Sequence, residues 1–375
     1  MMLIGNEIFI EGTMADIVVF GSIVHDLTSY TEIFPRPGES VRGLSFESGP
    51  GGKGSNQAVQ AARLGGSVVM IGRVGRDMFG QLNIDALKSS DVITDYIEVS
   101  DTVGTATAMV TVSQHGENSI VVTLGANLEL TPDRAEAVES VIAKAKILIC
   151  QYEIKVDALK KALEAESVVF SGVRVIRNRE VRFLTKKSKR IGYFLSSLYL
   201  ELIGSKWWGG DMSDGKYGII AIVSVRTFFN FAPGERNFDK AILKNVDILC
   251  TNENETEFLS GMSAKTVEDA MNASKSLLSY GPSAVIATLG KNGSVIATKD
   301  GLLKHVEANV VKAVDTTGAG DSFCGALAYF LVYRPHLPFE EQVRRASYIA
   351  SISVQHKGTQ CSYPWAKDLP ADIMK

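Results

Sequence analysis

Asp315-Thr316-Thr317-Gly318-Ala319-Gly320-Asp321-Ser322-Phe323 decides the reading of this chain. Gly318, Ala319 and Gly320 carry almost no side chain, so a ligand can approach the main chain closely. The apolar run that follows predicts a helix from Phe323 to about Tyr333. The backbone N–H groups of the three small residues then sit at a helix N-terminus, where the first donors lack partners and the macrodipole is positive. Such a site receives developing negative charge, as on a transferring phosphoryl group. Asp321 stands at its rim, placed to take a proton from a hydroxyl. A base beside an anion hole is the minimum kit for phosphorylating an alcohol. Taken alone, the same residues also read as an Asp helix cap after a glycine turn.

A second glycine cluster shifts the balance toward chemistry. Ser48-Gly49-Pro50-Gly51-Gly52-Lys53-Gly54-Ser55-Asn56-Gln57-Ala58 precedes an apolar-periodic helix through Ala61, Ala62 and Leu64. The glycines let the main chain lie against a small polyhydroxyl ligand, and Asn56 offers both a donor and an acceptor to its hydroxyls. Lys53 is not followed by Ser or Thr, so this is not a P-loop.

The 375 residues, 45% hydrophobic and 22% charged, describe an ordinary globular chain with ample length for a large core. A net charge of −3 gives no global attraction to nucleic acid or to an anionic membrane. Cys150, Cys250, Cys324 and Cys361 are scattered and form no C-x-x-C, which fits a reduced, cytoplasmic compartment. The five histidines lack metal spacing. The first sixteen residues hold Glu7, Glu11 and Asp16 and no Arg or Lys, unlike a transit or signal peptide, and Met14 is an alternative start. No stretch has the length of apolar sequence that a membrane helix needs.

Apolar runs at 17–22, 68–72, 147–150, 227–231, 247–250 and 284–289 read as buried strands. Helical periodicity appears at 55–64, 132–144, 156–165, 254–259, 267–279 and 339–355. This alternation predicts an α/β fold, a parallel sheet covered on both faces, with ligands beyond the carboxyl ends of the strands. Residues 105–112 and 118–123 instead alternate apolar and polar around Gln114-His115-Gly116-Glu117, a hairpin with one solvated face.

The chain resembles the ribokinase family of PfkB-type carbohydrate kinases. The resemblance rests on the 315–321 signature and on Phe34-Pro35-Arg36-Pro37-Gly38-Glu39, Gly51–Asn56, Gly125-Ala126-Asn127, Gln151-Tyr152-Glu153, Asn252-Glu253-Asn254-Glu255, Thr288-Leu289-Gly290 and Lys357–Pro364. It implies a three-layer α/β/α sandwich over residues 15–370, preceded by an N-terminal extension, 1–14. A small β-sheet lid is expected from about 27–46 and 105–123, whose exposed face would suit a homodimer. It also implies transfer of a phosphoryl group from ATP to the 5-hydroxyl of D-ribose, with Mg2+ and K+ as cofactors. The alternatives are another PfkB-type sugar or nucleoside kinase, or a non-catalytic product in which an unusual insert at 175–226 impairs folding. The family's compartment is the cytoplasm, with the nucleus as a second. Asp321, with the anion hole of Gly318, Ala319 and Gly320, takes the catalytic role. The implied sugar site is Val24, His25, Asp26, Gly52, Lys53, Gly54, Ser55, Asn56, Glu153 and Asp321. Val24 stands where the family usually has Asn or another small group. The implied nucleotide and magnesium residues are Asn252, Glu255, Thr288, Leu289, Gly290, Lys291, Asn292, Gly293 and Gly320, with Ser347 near the adenine. Oxygens of Asp315, Thr317, Ser353, His356, Gly358 and Ser362 match a potassium site.

Residues 175–226 interrupt the resemblance. Joining Ser171-Gly172-Val173-Arg174 directly to Thr227-Phe228-Phe229-Asn230-Phe231-Ala232-Pro233 restores a continuous family segment. The interruption holds ten Lys/Arg against four Asp/Glu, +6, while the whole chain is −3, so the remainder is −9. A basic arm for nucleic acid or acidic lipid, a surface insertion and translated non-coding sequence are three readings. Because excision restores the pattern so cleanly, the third is preferred and disorder is expected there. The segment enters a helix-to-strand junction at the amino end of a strand, away from the expected site. Deleting 175–226 is therefore expected to leave phosphoryl transfer intact, as a coupled ADP assay on both purified chains would show.

Overall fold

The computed structural model describes residues 15–115, 117–165 and 225–375, plus the backbone of four three-residue strands, 2–4, 7–9, 206–208 and 220–222. The expectation of disorder at 175–226 falls almost wholly outside the described residues. So does most of the N-terminal extension.

The core is a nine-stranded sheet. Its strands are β1 (Ile17–Phe20), β4 (Val68–Gly75), β5 (Val92–Ser100), β8 (Ile147–Gln151), β9 (Arg226–Asn230), β10 (Ile248–Asn252), β11 (Ala284–Thr288), β12 (Ser294–Thr298) and β13 (Leu303–Val306). The order is β13-β12-β11-β10-β9-β8-β1-β4-β5. All pairings from β5 through β11 are parallel, while β12 and β13 extend the sheet antiparallel. Val, Ile, Leu and Phe fill the central strands because both faces are covered. Helices α1 (Lys53–Arg63), α2 (Met78–Ser89), α8 (Ala319–Tyr333) and α9 (Phe339–Ser353) pack on one face. On the other lie α3 (Pro132–Ala137), α4 (Glu139–Ile142), α5 (Val156–Leu163), α6 (Glu253–Ser260) and α7 (Val267–Leu277).

The expected strands and helices are present, with ends shifted by a few residues. Three features differ. Helix α8 begins at Ala319, not Phe323, because Gly318 at φ 75° turns the chain into it. The 132–144 helix is broken into α3 and α4 at Val138. Strands β5, β12 and β13, and helix α2, were not anticipated; α2 is weakly amphipathic, the edge strands β5 and β13 have mixed composition, and β12 is a short run of five residues.

The lid is a separate four-stranded sheet of β2 (Val24–Thr31), β3 (Gly43–Gly51), β6 (Ala106–Ser113) and β7 (Asn118–Thr123), in the order β3-β2-β6-β7. It is longer than the expected 27–46 and 105–123 segments, since β2 starts at Val24 and β3 runs to Gly51. Its first rung, Val24 opposite Gly51, therefore lies at the mouth of the main sheet.

Helices α1 and α8 touch closely. A Cβ built on Gly325 would lie 2.5 Å from the Gln57 carbonyl oxygen and 2.9 Å from the Gln60 Cβ. Gly325→Ala must push the two helices apart, with a cost of about 1–3 kcal/mol. Urea unfolding should register that loss. Turnover should fall with it, because the two helices carry facing polar groups of the site.

Candidate functional site

The site lies along the carboxyl edge of the sheet, under the lid. Its centre is Asp321, only 6% exposed, in the first turn of α8. Both carboxylate oxygens are engaged by α1: Asn56 Nδ2 donates to Oδ2 at 3.1 Å and Gln57 Nε2 to Oδ1 at 2.9 Å. Those amides are fixed in turn. Gln151 Nε2 at the end of β8 donates to Gln57 Oε1 at 2.8 Å, and Gln360 Nε2 donates to Asn56 Oδ1 at 3.0 Å. Neutral carboxamides thus occupy both carboxylate oxygens.

Beside Asp321, the first main-chain bond of α8 runs from Ser322 N to Gly318 O at 2.9 Å. The Ala319 N–H reaches only Thr316 O, at 3.3 Å, and the Gly320 N–H has no main-chain partner among the described residues. Tyr363 Oη donates to Gly318 O at 2.8 Å and fixes the turn.

The glycine cluster wraps the start of the lid. Gly52 adopts φ 89°, and a Cβ there would lie 2.5 Å from Val24 N, so this close approach demands glycine. A Cβ on Gly51 would lie 2.2 Å from Asp26 Oδ2, which places the Asp26 carboxylate directly under the loop. Glu153 follows β8; its Oε2 accepts Ser22 Oγ at 2.6 Å and Lys53 N at 3.1 Å. Gly54 N donates to Ser22 Oγ at 3.2 Å. Ser55 Oγ donates to the main-chain oxygens of Gly51 and Gly52 and so serves the loop itself.

On the far side, Asn252 caps α6. Its Oδ1 accepts Glu255 N at 2.9 Å, while Glu255 Oε2 accepts Asn252 N at 2.9 Å. Thr288 Oγ1 donates to Thr251 O at 3.2 Å. A cavity of about 190 Å³ joins this side to Asp321; Lys53, Asn252, Glu255, Thr288, Gly318 and Gly320 all line it. A larger groove of about 710 Å³ opens at the amino edge of the strands, beside Ile147, Arg226 and Ala284. It holds no comparable cluster of acids around a lysine, so the chemistry belongs to the smaller cavity.

Charge is crowded here. Burial first, then the nearby Glu153 and Asp321, lift the Asp26 carboxyl to about 7, partly offset by Lys53. Burial likewise lifts Glu255 to about 7, against the pull of its Asn252 N–H bond and of Lys53. Burial would neutralise the Lys53 amine, but Asp321, Glu153 and Glu255 outweigh it and raise its pKa.

Not every expected residue turns toward the cavity. His25 lies on the opposite face of β2 from Asp26. It is buried, stacked on Phe79 at 4.5 Å, with Nε2 2.7 Å from Ser48 Oγ and Nδ1 3.1 Å from Asn83 Nδ2. Val24 packs with Ala106 and Ala108. The Leu289 side chain is buried with Ala264, Ala270 and Val295, leaving only its main chain for a ligand. Gly290, Lys291 and Asn292 form a short turn closed by Gly293. Ser347 sits half-buried on α9, outside the cavity lining. The 315–317 and 353–362 loops meet: the Asp315 carboxylate accepts the N–H of Thr317 and of Gly358, each at 2.9 Å. Sequence reasoning missed Gln57, Gln151, Gln360, Tyr363 and Asn230. The only signal for Gln57 was its place beside Asn56 on the helix after the glycine loop.

The Asp26 shift has a measurable consequence. Its folded pKa of about 7 exceeds the ordinary 3.8, so its contribution to stability is full below about pH 4 and is lost as pH rises through 7. Asp26→Asn should flatten the fall in ligand-free stability between these values, by at most about 1.4 kcal/mol per pH unit. Denaturant titrations across that range measure it. A residual slope of the same sign belongs to Glu255.

The pfkB family carbohydrate kinase model matches residues 14–186 and 232–366. The chain is 37% identical to mouse ribokinase over 96% of its own length and 95% of that protein. It is 31% identical to a deoxyribokinase of Salmonella typhi over 93% of its length and 95% of the relative. Among solved structures, Arabidopsis thaliana ribokinase complexed with ribose and ATP superposes with a TM-score of 0.74 at 26% identity, covering 97% of this chain and 99% of that one. Giardia lamblia ribokinase follows at 0.73 and 27%, covering 94% and 98%. With Lys53, the buried acid and the α8 turn in one cavity, these matches place the chain in the pfkB family of carbohydrate kinases, on the ribokinase-like α/β fold.

Proposed function

We propose that the chain transfers the terminal phosphoryl group of ATP to the 5-hydroxyl of D-ribose, giving D-ribose 5-phosphate and ADP. One observation carries the reading: a buried carboxylate, held between two carboxamides, stands beside unpaired helix amides in a cavity shared with Lys53, Asn252, Glu255 and Thr288. The similar Arabidopsis ribokinase, solved with ribose and ATP, supports these two substrates.

Asp26 and Glu153 present carboxylate oxygens to sugar hydroxyls, with Asn56 and the glycine loop around them. Asp321 takes the proton of the 5-hydroxyl as it attacks. The amides of Gly318, Ala319 and Gly320 meet the charge spreading over the transferred oxygens, and the Lys53 ammonium adds to their field. Thr288 and the 290–293 turn lie at the nucleotide end. The lid excludes water that would compete as acceptor.

Magnesium fits the oxygen donors at this end. Among the described residues no three His, Cys, Asp or Glu side chains could hold a metal together, so Glu255 would act through water while phosphate oxygens complete the shell. Bound there, the ion neutralises phosphate charge. The potassium residues also fit: Asp315 draws the two loops together, and Ser362 Oγ donates to Thr359 O at 2.7 Å, leaving its lone pairs to accept. Main-chain oxygens of Asp315, Thr317, Ser353, His356 and Gly358 would complete that set.

The lid's solvent face carries Leu44, Phe46, Met109 and Val121, each more than 60% exposed. A second copy of the chain is the proposed cover. No helix among the described residues is long and apolar enough to cross a membrane.

Asp321→Asn is expected to lower kcat by at least about 10³-fold while ribose still binds in calorimetry. A near-normal rate would remove Asp321 from the mechanism. A coupled ADP assay with ribose, 2-deoxyribose, other pentoses and nucleosides identifies the acceptor; preference for any but ribose would overturn the substrate.

A further inference from the structure

Asn230 closes β9 at the carboxyl edge, in register with Gln151 of β8 on one side and Cys250 of β10 on the other. Its side chain lies on the same sheet face as Phe228, Ile149 and Cys250, the face covered by α1 and α8. It is only 6% exposed and lines the cavity with Lys53, Asn252, Thr288, Gly320 and Asp321. Its polar neighbours on this edge make hydrogen bonds within the protein, although Gln151 Oε1 is itself buried without a partner. Gln151 donates to Gln57, and Asn252 caps α6. The Asn230 carboxamide makes no hydrogen bond to any described residue, although its main-chain oxygen accepts Ala232 N at 2.8 Å. A carboxamide that lines a cavity on a nearly buried residue, without a protein partner, is free to meet a ligand atom there.

Its place along the edge says which atom. The order of the strands puts Thr288 and Asn252 on one side of β9, and Gln151, Glu153 and Ser22 on the other. If the first group holds the nucleotide and the second the sugar, as proposed above, a phosphoryl group moving between them passes over β9. There it meets the α8 amides from one side and Asn230 from the other. We infer that Asn230 is a catalytic residue whose side-chain N–H donates to the transferring phosphoryl group. It completes, from the sheet, the donor set that α8 begins. The amide carries no charge and does not titrate, so it serves the transition state without drawing the Asp321 carboxylate into an ion pair.

The test compares Asn230→Ala and the isosteric Asn230→Asp with the unaltered chain. Three quantities are read: kcat at saturating ribose and ATP, the calorimetric Kd of ribose and of ATP, and the Kd of ADP with magnesium, aluminium fluoride and ribose, a mimic of the phosphoryl in flight. Asn230→Ala should lower kcat by about 10²–10³-fold, leave both ground-state affinities unchanged, and weaken the metal-fluoride complex in parallel. Asn230→Asp, which repels the phosphoryl oxygens, should fall further, and it keeps the test standing should the alanine variant unfold. Full kcat in both variants overturns the inference. So does a lowered kcat with undiminished metal-fluoride affinity, or a loss confined to ribose affinity. An unaltered chain that fails to phosphorylate ribose overturns the parent reading instead.

Discussion

A carboxylate taken out of water must be matched by donors, or it takes up a proton. At Asp321 the match comes from two carboxamides on a different helix, and much of the molecule is arranged to deliver them. Asn56 and Gln57 are consecutive on α1, and both reach Asp321 only because α1 and α8 approach so closely at Gly325. Each amide can turn either its oxygen or its nitrogen to the acid. Gln151 and Gln360 remove that freedom by occupying the oxygens, so the nitrogens face the carboxylate. The central sheet and the C-terminal loop therefore set the polarity of a contact between two helices. Hydrogen bonds to a charged group are worth about 1.5–3 kcal/mol each, and breaking one here exposes a buried charge as well.

The same crowding makes the ligand-free site electrostatically uncomfortable. Asp26, Glu153 and Asp321 surround Lys53, and Glu255 adds a fourth carboxyl at the far side. Asp26 and Glu255 both answer by holding their protons to about pH 7. Sugar hydroxyls donating to Asp26 and Glu153 would supply what the empty site lacks. The favourable field is thus stored in the fold and completed by the substrates, which is what preorganisation means in physical terms. Asp26 also stands on β2, the strand that carries the lid, so a sugar bound to it touches the lid directly.

What the sequence revealed and what it hid follow one division. Glycine loops, the acid after Gly320 and the capping pair of Asn252 and Glu255 were legible, because their function depends on local geometry written in consecutive residues. Gln57, Gln151, Gln360 and Asn230 were not. They are ordinary polar residues whose importance arises only when strands and helices distant in sequence meet. His25 illustrates the opposite error: adjacent to Asp26 in sequence, it faces away because side chains alternate along a strand, and it fastens β2 to Ser48 and Asn83 instead. The fold class was legible from buried strand runs. The antiparallel edge was not, since β12 and β13 pair without the helical crossover that marks a parallel connection.

Parallel topology separates two demands on this chain. The seven parallel strands of the main sheet, β1, β4, β5 and β8 through β11, end at the edge that carries the cavity, so loops at the other edge vary without reaching the chemistry. The chain re-enters the described fold there: Arg226 N donates to Lys146 O at 3.1 Å, and Arg226 pairs with Ile147 at the amino end of β8. Val225-Arg226 also repeats Val173-Arg174, so either pair precedes Thr227 when the intervening segment is removed. At the carboxyl edge the demand is chemical exclusion. Cys250 and Cys324 line the cavity, and thiols there could compete with a sugar for the phosphoryl group. Burial, then the adjacent Cys250 thiol, push the Cys324 thiol well above its ordinary range, so it stays protonated and a poor nucleophile. The same low-dielectric packing that strengthens the Asp321 contacts thus silences a rival acceptor beneath them.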